Sequence, residues 1–161
     1  MASNLKNLSE YSKGAIHPSV LQKNYGIVVA EWNTEVTEAL YEGAVKTLLQ
    51  YGIPKENIFR TDVPGSFELT LGAQWLAQRP NIDAVICLGC VIQGETRHFD
   101  FICDAVAHGV TNVSLKYNKP VIFGVLTPDN QQQALDRAGG KHGNKGDEAA
   151  STAVKMLNIN Y

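Results

Sequence analysis

A three-layer αβα sandwich, with helices on both faces of a four-stranded parallel sheet, is the fold class this 161-residue sequence predicts. Three observations predict it. Short apolar runs alternate with longer amphipathic stretches from Tyr25 onward. The apolar runs are nearly continuous, as strands buried on both sides require. No Pro/Gly-rich linker and no internal repeat divides the chain, so residues 25–161 read as one domain.

The elements follow in order. Tyr25 to Glu31 is the first strand. Glu35 to Tyr51 is a helix with Val36, Leu40, Ala44 and Leu48 on one face. Thr34 is placed to cap it, and Gly52 with Pro54 to end it. Asn57 to Asp62 is a weaker strand, and Ser66 to Gln78 a second helix with Ser66 as N-cap. Ala84 to Val91, opening on the strongest apolar run, is the third strand. Phe99 to Lys116 is the third helix, carrying Cys103, Val106, Val110 and Val113. Pro120 to Leu126 is the fourth strand; short helices near Asn130 to Ala138 and Lys145 to Leu157 close the chain. Residues 1–24 fall outside this pattern. They read either as an arm lying on another subunit or as disordered chain.

Composition excludes several functions. Lys+Arg is 14 against Asp+Glu 16, a net charge of -2, so no field favours nucleic acid or an anionic membrane. No apolar run reaches membrane-spanning length. The polar start, Met1 to Lys23, lacks the apolar core of a signal peptide, which points to a cytoplasmic protein. Cys87, Cys90 and Cys103 are an odd set without a disulfide framework. Cys87 and Cys90 match C-x-x-C, but residues three apart on a strand face opposite ways, and no second pair completes a metal site.

Ligands of such sheets sit beyond the carboxyl ends of the strands. Four loops should share that rim, gathering Trp32, Asn33, Phe67, Glu68, His98 and Phe123. Aromatic faces there could stack a flat ring, with Asn33 and Glu68 bonding its substituents. Core aromatics and a helix-start carboxylate are the plainer reading. Gly89 to Asp100 carries the most information. Gly89 and Gly94 have P-loop spacing after a strand and before a helix, yet Glu95 and Thr96 stand where Lys and Ser/Thr would follow. A lone phosphate on backbone N–H groups and Thr96 fits better than a nucleoside triphosphate. Arg97 or Arg137 could supply the cation. His98 beside that loop is suited to proton transfer near neutral pH, or is simply a solvent-facing helix-start residue.

With these residues the chain resembles the lumazine synthases. The resemblance spans roughly Tyr25 to Leu157 and rests on Val63 to Glu68, Gly89 to Asp100, Phe123 to Thr127, Arg137 to Gly139 and Gly143 to Gly146. It implies a flavodoxin-like fold and condensation of 5-amino-6-ribitylaminouracil with 3,4-dihydroxy-2-butanone 4-phosphate, with no metal or cofactor. By position, Trp32 resembles the aromatic stacking on the pyrimidine, where many relatives carry Phe. Ser66, Phe67 and Glu68, with Asn33 nearby, resemble the ribityl-binding segment. Cys90, Val91 and Ile92 resemble the segment reading the uracil edge. Glu95 and Thr96 resemble the phosphate loop, and His98 the catalytic histidine. Phe123, Arg137 and Lys145 resemble contributions from an adjacent subunit, Arg137 to the phosphate. The resemblance further implies pentamers, a 60-subunit icosahedral shell suggested by the compact Gly139 to Gly146 connection, and riboflavin synthase as a candidate partner. Rival readings are a flavin-binding module without turnover, an inactive shell subunit, and a riboflavin synthase of similar fold.

Overall fold

Four strands build one sheet: β1 (Tyr25–Ala30), β2 (Ile58–Val63), β3 (Ala84–Cys90) and β4 (Val121–Leu126). All neighbours pair in parallel, in the order β2-β1-β3-β4. Among the described residues five α-helices accompany them: α1 (Thr34–Tyr51), α2 (Leu69–Ala77), α3 (His98–Tyr117), α4 (Gln131–Asp136) and α5 (Lys145–Asn158). A short antiparallel ribbon, β5 (Ala138–Gly140) with β6 (Gly143–Asn144), links α4 to α5. This computed structural model describes residues 16–159.

Side-chain alternation on the central strands divides the core in two. Ile27, Val29, Ile86 and Leu88 meet Leu40 and Leu48 of α1 and Ala150 and Val154 of α5. Val28, Ala30, Val85 and Cys87 meet Leu69 and Leu76 of α2 and Val106 and Val110 of α3. Every residue of β1 and β3 is buried, which explains their unbroken apolar runs. Each such Val, Leu or Ile contributes about 1.5–3 kcal/mol of burial. Gly146 lets α5 lie close on α1, because a β-carbon there would run into the Leu40 carbonyl.

Strand order also sets where a ligand can enter. From β1 the chain moves outward to β2, then returns past β1 to β3 and onward to β4. The connections leaving β1 and β3 therefore diverge to opposite faces, opening a crevice between their carboxyl ends.

Several boundaries differ from expectation for local reasons. Thr34 is the first residue of α1 rather than its cap, and its hydroxyl donates to the Glu31 carbonyl (2.6 Å). Asn33 takes the cap position with left-handed backbone (φ 62, ψ 45), a conformation Asn tolerates, because the chain turns sharply out of β1. Helix α2 starts at Leu69, since residues 66–68 form a turn in which the Ser66 carbonyl accepts from the Leu69 N–H (3.2 Å). The helix expected to Ala138 stops at Asp136, and the connection to α5 is the β5–β6 ribbon, turned by Gly139 (φ 105) and Gly143 (φ 79). Asn144 then caps α5, accepting from the Gly146 N–H and donating to the Ala39 carbonyl, each at 2.8 Å.

Residues 1–15 of the expected arm lie outside the described residues. Its remainder lies on this domain: Val20 is fully buried, and the His17 N–H donates to Asn158 Oδ1 (2.8 Å). No helix among the described residues is long and apolar enough to cross a membrane.

Asp147 is the costly position in the α1–α5 layer. Its Oδ1 is buried without a hydrogen-bond partner among the described residues, and burial pushes its carboxyl above the usual range against the pull of Lys46 and Thr47. A folded-state value above the unfolded one gives stability that is present at low pH and lost as pH rises through the folded value. Asp147→Asn should therefore unfold at higher urea than wild type at pH 7, by about 1 kcal/mol. The gap should close as pH falls through the carboxylate range; equal midpoints at pH 7 would contradict this.

Candidate active site

A cleft of about 740 Å³ opens at the carboxyl ends of β1, β2 and β3. Its walls are Trp32 and Asn33 after β1, Gly65 to Glu68 after β2, and Cys90, Val91, Ile92, Gly94 and Thr96 at and after β3. His98, Phe99 and Ile102 of α3 complete it. Backbone pairing continues beyond the strands and stiffens these loops. The Glu31 and Trp32 N–H groups donate to Val63 and Pro64 carbonyls (2.8 and 3.2 Å). Those of Val91 and Gln93 donate to Leu126 and Pro128 (2.8 and 2.9 Å).

Across the loops, one acceptor gathers the strands' ends. Asn33 Nδ2 donates to the Cys90 carbonyl at 2.9 Å, and Ser66 Oγ approaches the same oxygen at 3.5 Å. Gly89 permits that approach: a β-carbon there would sit 2.7 Å from Ser66 Oγ and 2.8 Å from Leu69 Cδ1. Ser66, expected as a helix cap, is thus drawn toward β3.

The groups left facing the cleft divide by chemistry. Trp32 and Phe67 are 72% and 55% exposed, an unusual state for large aromatics and one suited to stacking a flat ring. The Glu68 carboxylate and the His98 ring have no hydrogen-bond partner among the described residues. His98 opens α3 beside Gly94 and Thr96; the Asp100 N–H already donates to the Arg97 carbonyl (3.1 Å), which leaves those of His98 and Phe99 to face an anion. The His98 N–H reaches only Thr96 Oγ1, weakly, at 3.4 Å. Arg97 is turned to Asp100 (3.6 Å) on the surface. Glu95 is exposed on the loop without lining the cleft. Burial, then the neighbouring Cys103, pushes the Cys90 thiol up to about 12, and burial alone does so for Cys87, so neither is a thiolate near neutral pH. The two pack into opposite layers.

Phe123, Arg137 and Lys145 lie elsewhere. The expectation that Phe123 shares the rim is corrected: it sits mid-strand in β4, opposite Cys87, short of the carboxyl end. With Lys145, Glu148 and Met156 it lines a separate depression of about 340 Å³. Arg137 and Lys145 border another, of about 530 Å³, with Thr127, Asp136 and Lys141. Asp136 is held below the usual carboxylate range by hydrogen bonds from Gln132 and Lys141, which occupies that lysine.

Residues 22–160 match the sequence profile of a family described as 6,7-dimethyl-8-ribityllumazine synthase. The chain belongs to this lumazine synthase family. A protein of that name from Cytophaga hutchinsonii is 72% identical over 157 residues, covering 98% of each chain. Another from Parabacteroides distasonis is 55% identical over 159 residues, covering 99% of each. A third, from Flavobacterium johnsoniae, is 53% identical, covering 99% of this chain and 83% of its own.

For a lumazine synthase family member, sequence reasoning missed some of the cleft. Phe99 and Ile102 line it because they follow His98 by one residue and by one helical turn, a spacing that was readable. Glu148 bonds Lys145 (2.9 Å) and faces Arg137 (3.8 Å). Its only sequence signal is the common i,i+3 spacing to Lys145. The clamp at Cys90 is testable. Asn33→Ala loses the amide bond and leaves a β-carbon at left-handed φ, so urea unfolding should show a loss of about 2 kcal/mol, and roughly half that for Asn33→Gly. An alanine variant as stable as wild type would remove Asn33 from that role.

Proposed function

We propose that this chain is a transferase that condenses 5-amino-6-ribitylaminouracil with 3,4-dihydroxy-2-butanone 4-phosphate. The products are 6,7-dimethyl-8-ribityllumazine, phosphate and water, in riboflavin biosynthesis. The observation that carries the reading is the gathering of Trp32, Glu68, Thr96 and His98 around one crevice. Trp32 stacks on the pyrimidine, and the backbone of Cys90, Val91 and Ile92 reads its edge. Asn33, Ser66, Phe67 and Glu68 hold the ribityl chain. Thr96 and the backbone of the loop through Gly94 and Glu95, with the start of α3, receive the phosphate; the Glu95 side chain does not line the cleft.

Chemically the steps are proton movements. The 5-amino group attacks the ketone and water leaves, giving an imine. Phosphate departs by elimination, and the ribitylamino nitrogen closes the ring as a second water is lost. His98 carries protons between these positions. Holding two reactants in one cleft supplies much of the remaining acceleration.

Arg97, the nearest cation in sequence, lies on the surface facing Asp100 and does not line the cleft, so the phosphate calls for another. In this proposal Arg137 of an adjacent copy supplies it, with Phe123 and Lys145 of that copy closing the pyrimidine side. The exposure of Trp32 and Phe67 supports an open half-site of this kind. The assembly is a pentamer, twelve of which close a 60-subunit shell in the cytoplasm, and riboflavin synthase, which consumes the lumazine, is the candidate partner.

Mixing the purified protein with both substrates tests the reaction. Lumazine absorbance and phosphate should rise together; flavin binding without turnover, or turnover of lumazine alone, would favour the rival readings. His98→Ala should lower turnover by about 10²-fold or less, because acid–base help is bounded. Unchanged turnover would remove His98 from its role. Arg137→Ala should mainly raise KM for the butanone phosphate, and an unaltered KM and rate would contradict its assignment.

A further inference from the structure

Arg137 and Lys145 stand at the two feet of the β5–β6 ribbon, where the Lys145 N–H donates to the Arg137 carbonyl (2.9 Å). Two cations starting from adjacent backbone positions repel each other. Glu148, one turn into α5, answers both: Oε2 lies 2.9 Å from Lys145 Nζ and Oε1 lies 3.8 Å from an Arg137 terminal nitrogen. Its side chain is only 13% exposed, against 23% and 32% for Arg137 and Lys145. The carboxylate is thus the enclosed member of the cluster and the cations its outward faces.

The cluster also spans two surfaces. Glu148 and Lys145 share one depression with Phe123, while Arg137 and Lys145 border the next. One carboxylate against two cations leaves a surplus positive charge, which an incoming phosphate can take up.

We infer that Glu148 is a positioning residue for the condensation: it sets the spacing and direction of Arg137 toward the phosphate substrate and of Lys145 toward the pyrimidine. This rests on the proposed reaction and touches neither substrate itself. A purely structural staple between ribbon and helix would affect folding or assembly and leave the two Michaelis constants alone.

Steady-state kinetics of the full-length assembly separates these roles. Glu148→Gln keeps shape and removes charge. It should raise KM for the butanone phosphate roughly tenfold, the scale of misaligned charge-assisted bonds. KM for the ribitylaminouracil should rise less, kcat should stay within a few-fold, and size by light scattering should be unchanged. In an Arg137→Ala background the same substitution should no longer move the phosphate KM, because the coupling partner is gone. Glu148→Asp, which retains the charge one methylene short, should restore most of the loss but leave the phosphate KM about two- to threefold above wild type, and that residual shift carries the test if the Gln variant folds poorly. Unchanged KM values in both Glu148 variants beside an active wild type would overturn the assignment alone, as would equal effects in both backgrounds. A wild type without turnover would overturn the reaction, and this assignment with it.

Discussion

The Cys90 carbonyl accepts from the Asn33 amide at 2.9 Å, with Ser66 Oγ approaching at 3.5 Å, and through it three strand ends meet. Cys90 terminates β3, Asn33 follows β1, and Ser66 follows β2. Parallel pairing delivers these three ends to one edge, and backbone bonds carry it a residue or two further, between neighbouring strands. A shared acceptor draws them together, and Gly89 keeps the meeting point free of a β-carbon. Trp32, Glu68 and His98 then take their places from the loops so fixed. The strand order matters equally, because a crevice at this edge exists only where the connections after β1 and β3 part.

Electrostatically the chain is divided. Its cleft offers helix-start N–H groups, a hydroxyl, a histidine and a carboxylate, while its cation cluster of Arg137 and Lys145 borders separate depressions with Glu148. Anion binding by backbone N–H groups needs little local charge, yet elimination of phosphate gains from a bidentate cation. An architecture that keeps nucleophile-holding and anion-holding groups on different faces suits a site completed between copies.

Much of the fold was legible in the sequence because β1 and β3 are buried on both sides, so their apolar runs carry no competing signal. Helix α3 was readable to within a residue at each end for a similar reason, its buried valines repeating at helical spacing. Caps were less legible. Thr34 and Ser66 are good N-cap residues by type, but one bonds back to Glu31 and the other is drawn toward Cys90. The first is a local side-chain-to-backbone bond that competes with capping, and the second a tertiary partner that local spacing does not reveal. The β5–β6 ribbon was hidden because two short paired segments among glycines carry no periodicity. Within the cleft, Trp32, Glu68, Thr96 and His98 were readable from their positions after strands. Phe123 was misplaced on the rim even though the strand read as Pro120 to Leu126 sets it three residues short of the carboxyl end. Glu148 was missed because Arg137 comes from across the ribbon, and a Lys-x-x-Glu spacing is ordinary on helices.

Diffraction from crystals of the protein holding a non-reacting ribitylaminopyrimidine is the most direct measurement. The expected density shows the ring on Trp32 at van der Waals separation, about 4 Å, the ribityl chain along Ser66 to Glu68, and His98 facing the reacting amino group. Density for the ring away from the β1–β3 crevice, or a His98 side chain turned from it, would contradict the assignment of this edge as the active site.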